Sequence, residues 1–432
     1  MATARFCPSY HRLTRAVLFC AVLVSAESLV AIPNAVASAV NQNDSPLNGE
    51  ELSGPLLASA LWDGEKKLPG IWQAEASVTG TRSGYLLARP KVLGLDALLV
   101  RSLHRDDRLE EIQVTFSDAG SFFGYFNPRP PAGLSRREQI DWLRALLVER
   151  EGEFKETFEK THESLTAQLE EISKRPKGIS RGRSRSLRAE MTEYRQGDLA
   201  IRVIAAPFRL IRLSISRAGK APRSWLDPAQ ENLSERERLD QLKKKVIKND
   251  RGDLSLGDIP IVPQGYRPYC GLNTLTMVGR YLGLHLDEDW LAVAGKFQNT
   301  GSAAGSQMLG LYQAVAKEAG FAMSRSSSYE HSDVRRSLQA GMPVIVWRRW
   351  SRERDREHQR VSAELERGNE AAFSPSAYPD EKAPLHASVV IGFNDERKEV
   401  IFLESWAGQS RARRMPVSEL SATAYLTFCF RP

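Results

Sequence analysis

Cysteine is scarce in this chain. Four cysteines stand among 432 residues, too few for the disulfide framework on which small extracellular domains rely. Seven histidines are scattered, and none forms a His-x-x-x-His group, nor do the cysteines form Cys-x-x-Cys. No metal site is therefore expected and no cofactor is called for. Long apolar runs are missing too: the apolar stretch 16–24 falls short of the ~20 residues a membrane-spanning helix needs. Charge of one sign is also in short supply. A net +7 is modest for this length and gives no argument for nucleic acid. No repeat of solenoid period is visible. At 42% hydrophobic and 26% charged residues, the composition is that of a globular protein with room for two or three domains.

The amino terminus is set apart. Arg5, His11, Arg12 and Arg15 precede the apolar run, and small-x-small sites follow at Val24-Ser25-Ala26 or Ala35-Val36-Ala37. A cleaved secretory signal over 1–37 is expected, with the mature protein secreted or in the periplasm or cell envelope. An uncleaved N-terminus would be the one route to membrane association. Phe19 is too bulky for Cys20 to be a lipidation site. A flexible leader over 38–55 follows. Loss of the signal leaves Cys270 and Cys429. Cys429 alternates with Phe428 and Phe430 and reads as a small apolar residue in a buried strand.

From 56 to 217 the pattern suggests an α+β domain of unknown role. Strands are expected over 71–78, 84–88, 97–103, 112–116 and 122–126, then a turn at Pro128-Arg129-Pro130-Pro131. Ser135 with Glu138 forms a capping box. Leu143, Leu147, Phe154, Phe158, Leu165, Leu169 and Ile172 recur at helical spacing, so a long helix should run to about Lys174, with Pro176 ending it. That helix could pair with a partner as a coiled coil, or lie on its own sheet. The strands flanking it favour the second reading. The basic stretch 177–186 reads as a solvated loop, the alternative being a grip on an anionic surface. It has neither the aromatic interleaving nor the groove-reading helix of a nucleic-acid binder. Two more strands are expected over 199–204 and 210–215. A charged connector spans 218–256, with a helix over 234–247.

The unit 257–432 carries the chemistry. A strand over 259–262 should lead into the loop Pro263-Gln264-Gly265-Tyr266-Arg267-Pro268-Tyr269. Cys270-Gly271 opens a helix with Leu275, Val278 and Leu282 on one face and Gly283 at its stop. A cysteine there meets the positive end of the helix dipole, which favours the thiolate. Asp287, Glu288 and Asp289 start a second helix, Ser306 caps a third and Asp333 a fourth. Strands at 343–347, 385–393, 399–403 and 424–430 complete an α+β order. His386 opens the second of these strands.

Gln264, Cys270-Gly271 and the strand His386-Ala387-Ser388-Val389 resemble the C39-like branch of the papain-fold cysteine peptidases. Glu404-Ser405-Trp406-Ala407-Gly408 is similar to the Asn-Ser-Trp-Gly stretch of papain-like enzymes. The resemblance covers 259–432 and implies a papain-like, C39-like fold preceded by a separate α+β domain with a long helix. It also implies four roles: Cys270 as nucleophile, His386 as base, Gln264 as oxyanion donor with the Cys270 N–H, and Glu404 as orienter of the imidazole. Two departures stand out. Glu404 replaces the family's Asn or Asp, with Asn394 and Asp395 as substitutes should it turn away, and Leu272 stands where proline is frequent.

The charged segment 351–384 reads as a long loop, either a lid over the cleft or a surface excursion. The leading function is a secreted cysteine peptidase acting on peptide or protein amides through a Cys270 thioester. A catalytically silent papain-fold module binding a peptide or envelope partner is the alternative. In a third reading the main function lies in 56–217 and the C-terminal unit is a processing appendage. Oligomeric state is not legible.

Overall fold

The computed structural model describes residues 47–124, 128–297, 308–406 and 411–431. The expected signal over 1–37, the first half of the leader and the Ser306 cap lie outside them. Among the described residues no helix is long and apolar enough to cross a membrane.

Alternating apolar residues in the first half build an eight-stranded antiparallel sheet. Its spatial order is Trp72–Glu75, Arg82–Leu86, Leu99–Arg105, Arg108–Asp118, Leu210–Arg217, Leu199–Ala206, Ala189–Gln196 and Lys177–Arg181. Period-2 geometry sends successive side chains to opposite faces. Ile112, Val114, Phe116, Ile211, Leu213 and Ile215 form one core with Phe154, Phe158, Leu165 and Leu169 of the helix Arg136–Ile172. The helix thus lies on its own sheet, and the expected Ser135–Glu138 capping box starts it.

The other face of the sheet is where the second half packs. Leu187, Ala189, Met191, Ile204 and Leu210 share a single core with Trp225, Leu272, Leu275, Val278 and Trp290. Between them sit charges on the same strand face, Glu111 and Arg212 buried and Arg101 mostly so. The two α+β units are therefore separate in their sheets and joined by a common core.

The second half places four helices, Cys270–Tyr281, Glu288–Ala294, Met308–Glu318 and His331–Gln339, against a second antiparallel sheet. That sheet runs Val246–Lys248, Asp253–Leu256, Leu385–Asn394, Val344–Arg349, Ala424–Arg431 and Ala322–Ser326. Glu399–Leu403 pairs with Leu385–Asn394 and with Arg413–Pro416. Cys429 is buried in its strand as expected.

Several expectations are corrected. Residues 259–262 are extended but unpaired, and Asp253–Leu256 takes the place beside Leu385–Asn394. Of the strand expected over 122–126, Phe122 and Phe123 lie instead in the helix Ala119–Phe123, because the Asp118 carboxylate accepts from the Gly120 and Ser121 N–H groups and starts a turn, while 125 and 126 lie outside the described residues. The basic stretch is not a solvated loop. Lys177–Arg181 is an edge strand, the Arg181 guanidinium is buried beside Glu111 and the Ser224 carbonyl, and Glu318 accepts from the Arg183 and Ser184 N–H groups. Ala189–Gln196 was not anticipated as a strand. Asp333 is not a cap; Glu330 holds that position without a side-chain bond. The helix in the connector ends at Lys243, and the connector itself is anchored, with Trp225 stacked on Trp290 at 5.9 Å. The described part of the leader, 47–55, is packed on the first domain: Leu52 is buried and donates to the Lys91 carbonyl at 2.8 Å.

Charge pairing fastens the two halves. Asp287 caps the Glu288–Ala294 helix through the Trp290 N–H. Arg212, from the first sheet, clasps Asp287 at 2.6 and 3.1 Å and reaches Asp289 at 3.2 Å. Arg101 lies 3.5 Å from Glu288, and Arg267 lies 2.9 Å from it. Burial by itself raises a carboxylate, yet these guanidinium groups hold Glu288 down at about 2. Such a cluster is costly to break, since removing one member leaves a buried charge without its counterion. Arg212→Met is accordingly expected to destabilise the chain by about 3–5 kcal/mol. A denaturant midpoint equal to that of the wild type would contradict this.

Candidate active site

The Cys270–Tyr281 helix is buried on nearly every side: Leu272 to Tyr281 are all buried, polar Asn273, Thr276 and Arg280 among them. It is thus a central helix, buried beyond the one face that Leu275, Val278 and Leu282 mark. Leu272 simply fills core. Gly283, at φ +92°, follows the helix end. At the other end the N-cap is Tyr269, with no side-chain cap, and of the first-turn N–H groups that of Gly271 meets the Cys270 sulfur. Gly271 is closely packed: a Cβ would lie 3.3 Å from Met308 Cε, which would have to give by a few tenths of an ångström, and 3.5 Å from both Trp347 Cζ2 and the Tyr312 hydroxyl. The same Tyr312 hydroxyl donates to the Gly271 carbonyl at 2.8 Å, and Trp347 Nε1 donates to that hydroxyl at 3.1 Å.

Sheet register assembles the other side. His386 and Ser388 share one face of their strand, and Arg348 lies directly across from His386. Glu404 comes off the end of the neighbouring strand Glu399–Leu403, whose Leu403 pairs with Val389. These residues converge. His386 Nε2 meets Glu404 Oε2 at 2.6 Å. Arg348 Nη2 donates to Glu404 Oε1 at 2.7 Å, Ser388 Oγ donates to the same oxygen at 3.0 Å, and Arg348 Nε donates to Ser388 Oγ at 3.1 Å. The carboxylate is 1% exposed, as is Arg348.

His386 also bonds the Cys270 thiol, which the N–H groups of Ala387 and Gly271 approach as well. With Nε2 committed to Glu404, Nδ1 is the imidazole nitrogen left for sulfur. Burial pushes the thiol up, but the His386 interactions and the two N–H groups outweigh it and the thiol is lowered. Burial likewise pulls the imidazole down, yet Glu404 and Cys270 lift it to about 9. Glu404 stays ionised at about 2 despite burial, because His386 and Arg348 face it. Both directions favour thiolate with imidazolium. The Trp406 indole stacks on the imidazole at 4.4 Å and 8°, a cation–π arrangement that shields the ring from water.

Gln264 is buried one residue before the loop turns toward Cys270. Its N–H donates to the Ser405 carbonyl at 2.8 Å, and Ser405 Oγ donates back to Gln264 Oε1 at 2.9 Å. That bond sets the amide orientation and makes Nε2 the donor end. The loop and the Glu404-Ser405-Trp406 stretch are thereby tied together.

All four sequence-predicted residues lie in this one region, with His386 bonded to both Cys270 and Glu404. The substitutes do not reach it: Asn394 donates to Asp253 and the Arg251 carbonyl, and Asp395 pairs with Arg335 at 2.8 Å. Sequence reasoning missed Arg348, Ser388 and the stacking role of Trp406. An arginine ending the apolar strand Val344–Arg349 was the available signal for a buried cation. The segment 351–384 is corrected from a loop to the helix Arg352–Glu366 with a returning arm. Buried Arg354 and His358 bind Glu419, and Arg354 Nη1 holds the Ser374 carbonyl at 3.3 Å and Ser376 Oγ at 2.8 Å. Trp350 pairs with the Pro384 carbonyl at the base of this segment, beside His386.

Residues 256–429 match the model described as the Peptidase_C39 like family. The C-terminal region is thus C39-like, as its residues suggested, and at family level it is of cysteine-peptidase type. Among solved structures, the chain is similar to that of a Bacillus anthracis protein described as a candidate C39-like peptidase. The two are 13% identical with a TM-score of 0.28, and the match covers 42% of this chain and 98% of the other. No curated protein matches the chain in sequence.

The electrostatics carry a sign that can be checked. Glu404→Gln removes the charge that raises His386, so the imidazole should titrate lower than about 9. Histidine NMR, with His386→Asn to assign the resonance, reads this directly. An unmoved midpoint would show that Glu404 does not act on the ring.

Proposed function

We propose that the C-terminal domain hydrolyses peptide amide bonds. The observation that supports this most is the thiol of Cys270 bonded to an imidazole that a buried carboxylate holds in place. In this reading the Cys270 thiolate attacks the carbonyl carbon, and the oxyanion is met by Gln264 Nε2 and the Cys270 N–H. His386 gives its proton to the leaving amine. A water then releases the acyl group from sulfur, with His386 taking its proton. Arg348 and Ser388 fix the Glu404 carboxylate, which makes up for the extra methylene relative to the family's Asn or Asp.

The silent-module alternative was motivated by Glu404 and Leu272. Glu404 meets His386 and Leu272 lies in the core, so neither now favours it. Secretion, with cleavage of a signal within 1–37, belongs to the same proposal, and N-terminal sequencing of the natural protein tests it.

A mixed peptide library digested by the full chain should show Cys270-dependent cleavage. Gln264→Ala should cut kcat by about a hundredfold or more. With pH, kcat/KM should fall on the acid side as the thiol regains its proton. It should fall again above about 9 as the imidazolium loses the proton meant for the leaving amine. Binding of peptides without turnover in the wild type would replace this reading with the silent module.

A further inference from the structure

We infer that the N-terminal domain is a working part of this active site, because it grips the loop that carries the nucleophile. The inference rests on the proposed peptidase reading and assigns a task to residues outside the family match.

Three contacts converge on the residues just before Cys270. Tyr269, its immediate neighbour, is 1% exposed and presses on Gly120 of the helix Ala119–Phe123. A Cβ at Gly120 would fall on the Tyr269 hydroxyl and lie 2.8 Å from Cζ. The Tyr269 ring also meets Phe297 of the C-terminal half edge-on at 5.1 Å, and the Phe297 carbonyl is held by Arg209 Nη1 at 2.7 Å. The Arg209 carbonyl in turn accepts from the Ala119 N–H at 2.8 Å. The first domain therefore touches the tyrosine directly at Gly120 and braces it indirectly through Arg209 and Phe297.

Arg267 is the third contact. Its guanidinium pairs with Glu288 at 2.9 Å and with Asp289, and it lies 3.8 Å from Asp118, the residue that caps the Gly120 helix. Arg101 and Arg212 of the first sheet hold the same two acids. Gln264 and Cys270, at the two ends of this loop, must be placed to a fraction of an ångström for the oxyanion and the thiolate to act together. Within the C-terminal region the loop is tied at its start by Ser405 and continues into the helix at its end. Its middle leans on Glu288, Asp289 and Phe297 of the same region and, through Asp118 and Gly120, on the other domain. Gly120, Asp118 and Arg267 are thus positioning residues for Cys270.

The test is the rate at which iodoacetamide alkylates Cys270 in the full chain, followed against pH, with folding monitored by circular dichroism. Gly120→Ala and Arg267→Lys are expected to slow the neutral-pH reaction about tenfold or more and to move its acid limb upward. Arg267→Lys keeps the charge while losing the fork, so it serves if Gly120→Ala does not fold. Glu318→Gln loosens the opposite end of the same interface, where Arg183 and Ser184 dock. It should lower the melting temperature and leave the alkylation profile alone. Wild-type profiles in both loop variants would overturn the inference while sparing the peptidase reading. A wild-type thiol no faster than free cysteine would overturn both.

Discussion

A carboxylate removed from water between two cations is the constraint on which the site depends. Glu404 can stay ionised at 1% exposure only because Arg348 and His386 both face it. The penalty for burying such charges is offset only when geometry is good and the remaining lone pairs are met, and Ser388 meets one of them. The consequence reaches sulfur. An imidazole held by a carboxylate prefers to be charged, and a charged imidazole against Cys270 prefers a thiolate. The N–H groups at the start of the helix act in the same direction. Three strands and one helix are needed to bring these groups together, so fold and chemistry are the same problem here.

The first domain shows a second use of buried charge. Its sheet sends apolar residues to the long helix and a mixed face, with Arg101, Glu111 and Arg212, toward the C-terminal region. A polar sheet face would ordinarily look to solvent. Here it meets an acidic helix start, Asp287 to Asp289, and the charges are complementary. The apolar rim around them, including Trp225 and Trp290, closes the interface into one core. The connector takes part in that core and does not behave as a linker.

The legible parts were those where a local rule decides. The Ser135–Glu138 box, the 3.6 period up to Ile172, the stop at Gly283 and the alternation around Cys429 needed no knowledge of the rest. Cys270, His386, Gln264 and Glu404 were legible because their chain order follows a known pattern. What stayed hidden depends on distant partners. Arg181 looked solvated because its neighbours Lys177 and Arg183 are basic, while Glu111 and Trp225 lie far away in sequence. Residues 122–126 look like a strand until Asp118 is seen to cap a helix. Arg348 read as the end of an apolar strand, since only sheet register places it across from His386. The segment 351–384 looked like a loop for its charge, yet Glu419 draws Arg354 and His358 inward.

The most direct test of the thiolate–imidazolium pair is the far-ultraviolet difference absorbance between the wild type and Cys270→Ser, followed from acid to alkaline pH. The account predicts that thiolate absorbance is already present at neutral pH and is lost only on acidification, below the range in which an ordinary cysteine titrates. Absorbance that first rises in the alkaline range of a free thiol would contradict it.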